Sequence, residues 1–208
     1  MPTIYTTKKL PKRAKLDTYI TPKELALASL KNLTQHPWPP QVLDPGAGTG
    51  VWGWAVRQRY PKAKITGVEI RKVKAPHPYN TWVNQDFMTW YGKSKTIPRF
   101  DLIVGNPPYK QAEDFIRHSF ELLDSAGTIL FLLPSHFLHS EKRGLNLFSD
   151  LTPYRIMTLM QRPNFEGQGT ANPNTYVLVE WKGKANYEGI TYHDWLNWKP
   201  VDKSPGLE

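Results

Sequence analysis

The segment Asp101-Leu-Ile-Val-Gly-Asn106-Pro107-Pro108-Tyr109 concentrates the most chemistry in this chain. An apolar run feeds directly into an amide, two prolines and an aromatic ring. Each proline fixes its own φ and pushes the residue before it into an extended conformation, so the corner is stiff. Stiffness suits groups that must be in place before a reaction starts. The side-chain oxygen of Asn106 can accept one hydrogen of an aromatic amine, and the Pro107 carbonyl can accept the other. Such an amine is a poor nucleophile because its lone pair is delocalised into the ring. Two acceptors favour a pyramidal nitrogen and turn the lone pair toward an electrophile held opposite. The protein then works by positioning and electrostatics. Tyr109 adds a flat face on which a ring can stack.

A second constellation lies upstream, in Asp44-Pro-Gly46-Ala-Gly48-Thr-Gly50, between a short apolar strand and a helix. Its glycines allow a tight turn and close approach of the backbone to a ligand. A glycine loop alone suits dinucleotides as well. Three acids narrow the choice. Asp44 precedes the loop, where a carboxylate can pair with an ammonium group. Glu69 ends the next strand and can accept bonds from two ribose hydroxyls. Asp86, with Phe87 beside it, follows the third strand and can bind an adenine amine while the ring packs. An ammonium, a ribose and an adenine, met in that order, favour S-adenosylmethionine over a dinucleotide. With that ligand, the Asn106 corner is expected to carry out direct in-line methyl transfer without a covalent enzyme intermediate.

These residues need a frame, and the pattern around them supplies one. Strands are predicted at Val42–Asp44, Ile65–Ile70, Trp82–Asn84, Leu102–Val104, Thr128–Leu133, Arg155–Met160 and Tyr176–Trp181. Helices are predicted at Pro22–Leu33, Val51–Arg59, Gln111–Leu123 and Ser140–Leu151. Alternation of strands and helices implies an α/β fold with a mostly parallel sheet covered on both faces. The last two strands are joined by a loop without helical pattern, so they should pair antiparallel.

Composition sets outer bounds. There is no cysteine, which excludes a disulfide scaffold, a thiolate metal site and a cysteine nucleophile. Methylation of cytosine at carbon 5 needs a thiolate and is excluded with them. His136 and His139 stand three apart without an evident third ligand, so no metal site is expected. No run approaches the roughly 20 apolar residues of a membrane span, and no secretory signal is visible, so a cytoplasmic protein without membrane contact is expected. Lys and Arg outnumber Asp and Glu by 27 to 18, a net charge of +9 that favours a polyanionic partner. Lys8, Lys9, Lys12, Arg13 and Lys15 form a basic arm over residues 1–16, expected to touch phosphates without reading bases.

With these motifs in hand, the chain resembles the amino-specific DNA methyltransferases, especially the adenine-specific group in which the cofactor motifs precede the catalytic one. The likeness spans about residues 17–182. It implies a Rossmann-like, seven-stranded sheet with an antiparallel last strand, S-adenosyl-L-methionine as cofactor and double-stranded DNA as partner. Asp17–Pro22 is similar to the family's N-terminal cofactor segment, which would bring Thr21 and Pro22 to the methionine pocket. Asp44, Gly46 and Gly48 match the glycine loop, Glu69 the ribose-binding acid with Ile70 beside it in the cofactor site, and Asp86 and Phe87 the adenine pair. Asn106, Pro107, Pro108 and Tyr109 match the catalytic tetrapeptide without substitution, with Asn106 also beside the cofactor. Tyr109 would stack on a base flipped from the duplex. Arg162-Pro-Asn-Phe165 resembles a segment whose aromatic ring helps to hold that base; the other reading of Phe165 is a core anchor.

Larger relatives carry a separate target-recognition domain, whereas 26 residues follow Lys182 here. The expected layout is therefore a basic arm, a catalytic domain over 17–182 and a short extension over 183–208, as in small phage-borne or orphan members. Asn-Pro-Pro-aromatic corners also serve enzymes that methylate RNA adenine or guanine, or the glutamine of release factors. Thr21-Pro22 and Phe165 favour DNA adenine over these. An inactive nucleic-acid-binding module is a poorer reading, since both motifs are intact.

Overall fold

The computed structural model describes residues 19–33, 39–90, 98–165, 174–184 and 189–199. The basic arm and residues 166–173 of the Phe165 loop lie outside them. Elements follow in the order α1 (Lys23–Lys31), β1 (Gln41–Pro45), α2 (Val51–Arg59), β2 (Lys64–Val68), β3 (Thr81–Val83), β4 (Phe100–Gly105), α3 (Ala112–Leu122), β5 (Leu123–Pro134), α4 (Glu141–Arg143), β6 (Arg155–Leu159), β7 (Tyr176–Lys182) and β8 (Tyr192–Leu196). The strands form one sheet in the order β3-β2-β1-β4-β5-β7-β6-β8.

The two-residue period of the strands sorts the core into two layers. On one face Val42, Ile65, Leu102, Val104, Leu130 and Leu132 pack beneath α1 and α2, through Leu25, Leu30, Trp52 and Val56. On the other, Leu43, Ile103, Ile129, Phe131 and Leu133 meet α3 through Phe115, Ile116 and Leu122. Helices therefore cover both faces of a Rossmann-like sheet. Within β7 and the second half of β5 both faces are covered, which is why these stretches read as near-continuous apolar runs.

Strands β1 to β5 are mutually parallel, whereas β7 runs antiparallel to both β5 and β6. The reversed strand is the one expected at Tyr176–Trp181. The strand count is corrected from seven to eight. β8 lies in the expected extension and pairs parallel with β6 along five residues, Arg155↔Tyr192 to Leu159↔Leu196. Tyr192-His-Asp-Trp carries no buried residue, and only Leu196 and nearby Trp198 reach the core. An edge strand of this kind lacks the apolar alternation that marks a strand in sequence.

The helix predicted at Ser140–Leu151 is present as a helical stretch over 141–150 whose winding changes along its length. Ser140 caps it through the Arg143 amide, but after Arg143 the chain widens to a π-type turn at Gly144–Phe148. Gly144 is a weak helix former, and Asn146 and Ser149 bond back to the carbonyls of Lys142 and Leu145. Among the described residues, no helix is long and apolar enough to cross a membrane.

Candidate active site

The sequence motifs converge at the carboxyl ends of β1, β2 and β4, where open α/β sheets place their ligands. Gly46, Gly48 and Gly50 all take positive φ, at 68°, 59° and 84°, a conformation that costs other residues strain. The loop is tied to the neighbouring strand by the Ala47 amide, which donates to the Val68 carbonyl at 2.9 Å. It also abuts the second motif: a Cβ on Gly46 would stand 3.9 Å from Pro108. Two segments some sixty residues apart in sequence thus form one wall.

Asp44 is 1% exposed. Its Oδ2 accepts from the Gly53 amide at 3.2 Å and from the Tyr79 hydroxyl at 2.5 Å. Its Oδ1 is buried without a partner among the described residues. Burial pushes the carboxyl up to about 7, against the lowering bonds from Tyr79 and Gly53 and with a further push from Glu69. An orphaned, buried carboxylate oxygen is costly unless a ligand supplies a donor or a charge. A Cβ on Gly105 would stand 3.5 Å from that oxygen, so it faces the residue preceding Asn106.

Glu69 is treated differently. Its Oε2 accepts from the Gly48 amide at 2.7 Å, and its Oε1 takes the Arg71 amide at 3.0 Å and Nε at 2.7 Å. Burial would raise this carboxyl, but the Arg71 bonds, the Gly48 amide and the Arg71 charge together hold it below the usual range. Oε2 retains lone-pair capacity for a ribose hydroxyl. Ile70, next along, is 52% exposed and offers an apolar edge. Asp86 accepts from the Met88 amide at 3.0 Å and so shapes the turn after β3. The Phe87 ring lies in the core, packed 4.9 Å from Phe115 and 4.8 Å from His118.

At the corner, Asn106 Nδ2 donates to the Tyr19 carbonyl at 3.2 Å and to the Thr21 hydroxyl at 3.3 Å. A carbonyl only accepts, so the amide's orientation is set and its oxygen points away. That Oδ1 is buried and has no partner among the described residues. Thr21 is itself buried, and the Pro22 carbonyl starts α1 by accepting from Ala26. Pro107 is buried and Pro108 half-buried, bracing the turn. Burial and the adjacent Tyr176 push the Tyr109 phenol far up, so it stays neutral.

The aromatic surroundings differ from expectation. Tyr19 stacks on Tyr109 with centroids 5.2 Å apart and planes 23° apart. Phe165 is 1% exposed and packs edge-on against Tyr19 and Tyr176. In this structure the ring is enclosed beneath the corner, as a core anchor would be. The ring on the open stack is Tyr19, which the sequence did not single out. Arg71 and Tyr79 were also missed; a signal for Tyr79 lay in Gly53 and Gly67, glycines inside a helix and a strand, which mark close approach of other groups. Among the described residues, no group of three His, Asp or Glu side chains is placed to hold a metal ion.

The sequence model of the methyltransferase small domain family matches residues 25–152. A type II methyltransferase, M.CvrRI of Paramecium bursaria Chlorella virus XZ-6E, is 34% identical over 108 residues, covering 49% of this chain and 27% of that protein. A tRNA1(Val) (adenine(37)-N6)-methyltransferase of Vibrio parahaemolyticus is 32% identical over 127 residues, covering 48% and 53%. The chain thus spans between about a quarter and a half of these relatives' lengths. In fold, it resembles the methyltransferase subunit of a type I restriction-modification system from Streptococcus thermophilus, with TM-score 0.66, 15% identity, and coverage of 85% of this chain and 47% of that one.

Proposed function

This chain belongs to the methyltransferase small domain family, and from that premise we propose that it methylates the exocyclic amine of adenine in DNA. S-adenosyl-L-methionine is the cofactor that family and fold imply, and the site's donors and acceptors fit it. When bound, it supplies a methyl group carried on positively charged sulfur. Asp44 Oδ1 would take the ammonium group, Glu69 the ribose hydroxyls, and Ile70 and Asp86 the adenine. Gly46 and Gly48 keep the backbone close to the ligand, with Thr21 and Pro22 closing the methionine end and Phe87 supporting the pocket from below.

The observation that carries the reading is the buried, unpartnered Oδ1 of Asn106. Its amide nitrogen is anchored, so the oxygen is held out for a hydrogen-bond donor at a fixed place. An exocyclic amine is such a donor, and the Pro107 carbonyl is the second acceptor. Pre-set acceptors of this kind favour the transition state over the flat ground-state amine. The neutral Tyr109 ring would carry the base, which requires Tyr19 to yield its place in the stack. The Thr21-Pro22 segment beside Asn106 and the type II methyltransferase relative support DNA as the polymer.

The test is incubation with methyl-labelled cofactor and, separately, unmethylated duplex DNA, RNA and a release-factor protein. Label recovered as N6-methyladenine in DNA is the expected result. Label confined to RNA adenine, the activity named for the Vibrio relative, overturns the choice of polymer, and label on glutamine overturns the nucleic-acid substrate altogether.

A further inference from the structure

Tyr79 lies in the segment between β2 and β3, outside every motif. Yet three glycines make room for its ring. A Cβ on Gly53, in the first turn of α2, would come 2.4 Å from Tyr79 Cζ; one on Gly67, in β2, would come 2.8 Å from Cδ1 and 2.7 Å from Trp82; and one on Gly50, just before α2, would come 3.1 Å from Cε2 and 2.6 Å from Pro76. Gly53 and Gly67 sit inside a helix and a strand, where glycine lowers stability relative to alanine. At Gly53 the space left by the missing side chain goes to Tyr79, and at Gly67 it is shared between Tyr79 and Trp82. The slot directs the phenol to Asp44 Oδ2, at 2.5 Å.

We propose that Tyr79 is the positioning residue of the cofactor site: wedged between α2 and β2, it engages Asp44 Oδ2 and thereby turns Oδ1 toward the ligand's ammonium group. The proposal rests on the reading of Asp44 as the ammonium partner. Two donors, the phenol and the Gly53 amide, share Oδ2, so the carboxylate cannot rotate without breaking both. The phenol also favours the charged carboxylate, opposing a burial that favours the neutral acid. Tyr79 itself is raised well above the ordinary phenol value by burial and by Asp44, so it remains a donor at any working pH. The titratable groups facing Asp44 are Tyr79, from the β2–β3 segment, and Glu69, from the end of β2, whose charge Arg71 offsets. α2 contributes the Gly53 amide, and β4 presents Gly105.

The test is a carbon-13 NMR titration of the Asp44 carboxyl in the full chain without ligand, assigned with Asp44→Asn. In Tyr79→Phe the Asp44 midpoint should rise by roughly one to two pH units, the equivalent of one hydrogen bond to a charged group. Site-specific 3-fluorotyrosine at position 79 keeps the ring and strengthens the donor, so the midpoint should fall; this variant decides the matter if Tyr79→Phe does not fold. An unchanged midpoint in the variants that fold overturns the proposal. Calorimetry with S-adenosylmethionine on the same proteins gives the second readout. Tyr79→Phe should bind roughly 5- to 50-fold more weakly at pH 7 and recover as the pH rises, following the displaced midpoint. A midpoint that moves while affinity stays flat with pH would overturn the ammonium reading of Asp44 and leave the Tyr79–Asp44 bond standing.

Discussion

The two carboxylates at the ends of β1 and β2 are almost equally buried, at 1% and 4% exposure, yet their acidities move in opposite directions. Glu69 receives three donors spread over both oxygens, one of them from a guanidinium. Asp44 receives two donors on one oxygen and faces no cation among the described residues. Burial therefore does not decide charge by itself; the surrounding donors do. The difference divides the work. Glu69 has a partner on each oxygen and gives the loop its shape while keeping lone-pair capacity on Oε2, whereas Asp44 Oδ1, like Asn106 Oδ1 at the neighbouring strand end, has no partner among the described residues. Both open oxygens call for a hydrogen-bond donor, which in the proposed reading an ammonium group and an exocyclic amine would supply.

The contrast between satisfied and open positions can be attacked first at its base. Phe165 is wholly enclosed, so Phe165→Ala should lower stability by roughly 3–5 kcal/mol, measured by denaturant unfolding. A variant with unchanged stability and lost activity would return Phe165 to the base pocket. Asn106 is the opposite kind of residue, open and poised. Asn106→Ala should leave cofactor binding nearly intact and reduce turnover on the order of 100-fold or more. Near-wild-type turnover would mean that the corner is only structural.

Asp44 sharpens the comparison through pH. Its folded-state value, about 7, lies above the ordinary 3.8, so the folded state holds an extra proton between these limits. The resulting contribution to ligand-free stability is full below about pH 4 and is lost as pH rises toward 7. Cofactor affinity should run the other way, increasing as Asp44 ionises. Asp44→Asn should flatten both profiles, as read by thermal melts and calorimetry across that range. Glu69 is the counter-case, and its effect is the smallest. Held low by Arg71, it adds stability that is present above its unfolded value and lost as pH falls through its folded one. Arg71→Ala should shift that acid limb upward in pH and change stability at neutral pH by no more than about 1 kcal/mol, because Arg71 is partly exposed. An unmoved acid limb would remove Arg71 from the account.

How much of this was legible in the sequence follows from how local each cause is. Val51–Arg59 was readable as a helix to the residue, and the strands that become β1 to β7 to within a few positions, because periodicity and punctuation are properties of short stretches. The longest departure is β5, whose first half follows α3 without the apolar run that marks its second half. β8 was not legible, since a strand that buries one end of itself on an edge needs no repeating apolar face. The corner and the glycine loop were visible as residue types, because proline stiffness and glycine freedom belong to the residue.

By itself, then, the sequence determined the alternation of strands and helices, the reversal of the strand at Tyr176 and the meeting of both motifs at one sheet end. Those follow from hydrophobic pattern and from the handedness of strand–helix–strand crossovers. Only the tertiary structure decided which polar atoms stay open. That Tyr79 takes one oxygen of Asp44, that Arg71 closes on Glu69, that Tyr19 covers Tyr109 and that Phe165 turns inward are outcomes of packing between segments far apart in the chain. A side chain's partners depend on what the remaining volume admits. Here that volume was set partly by residues with no side chain at all, Gly53 and Gly67.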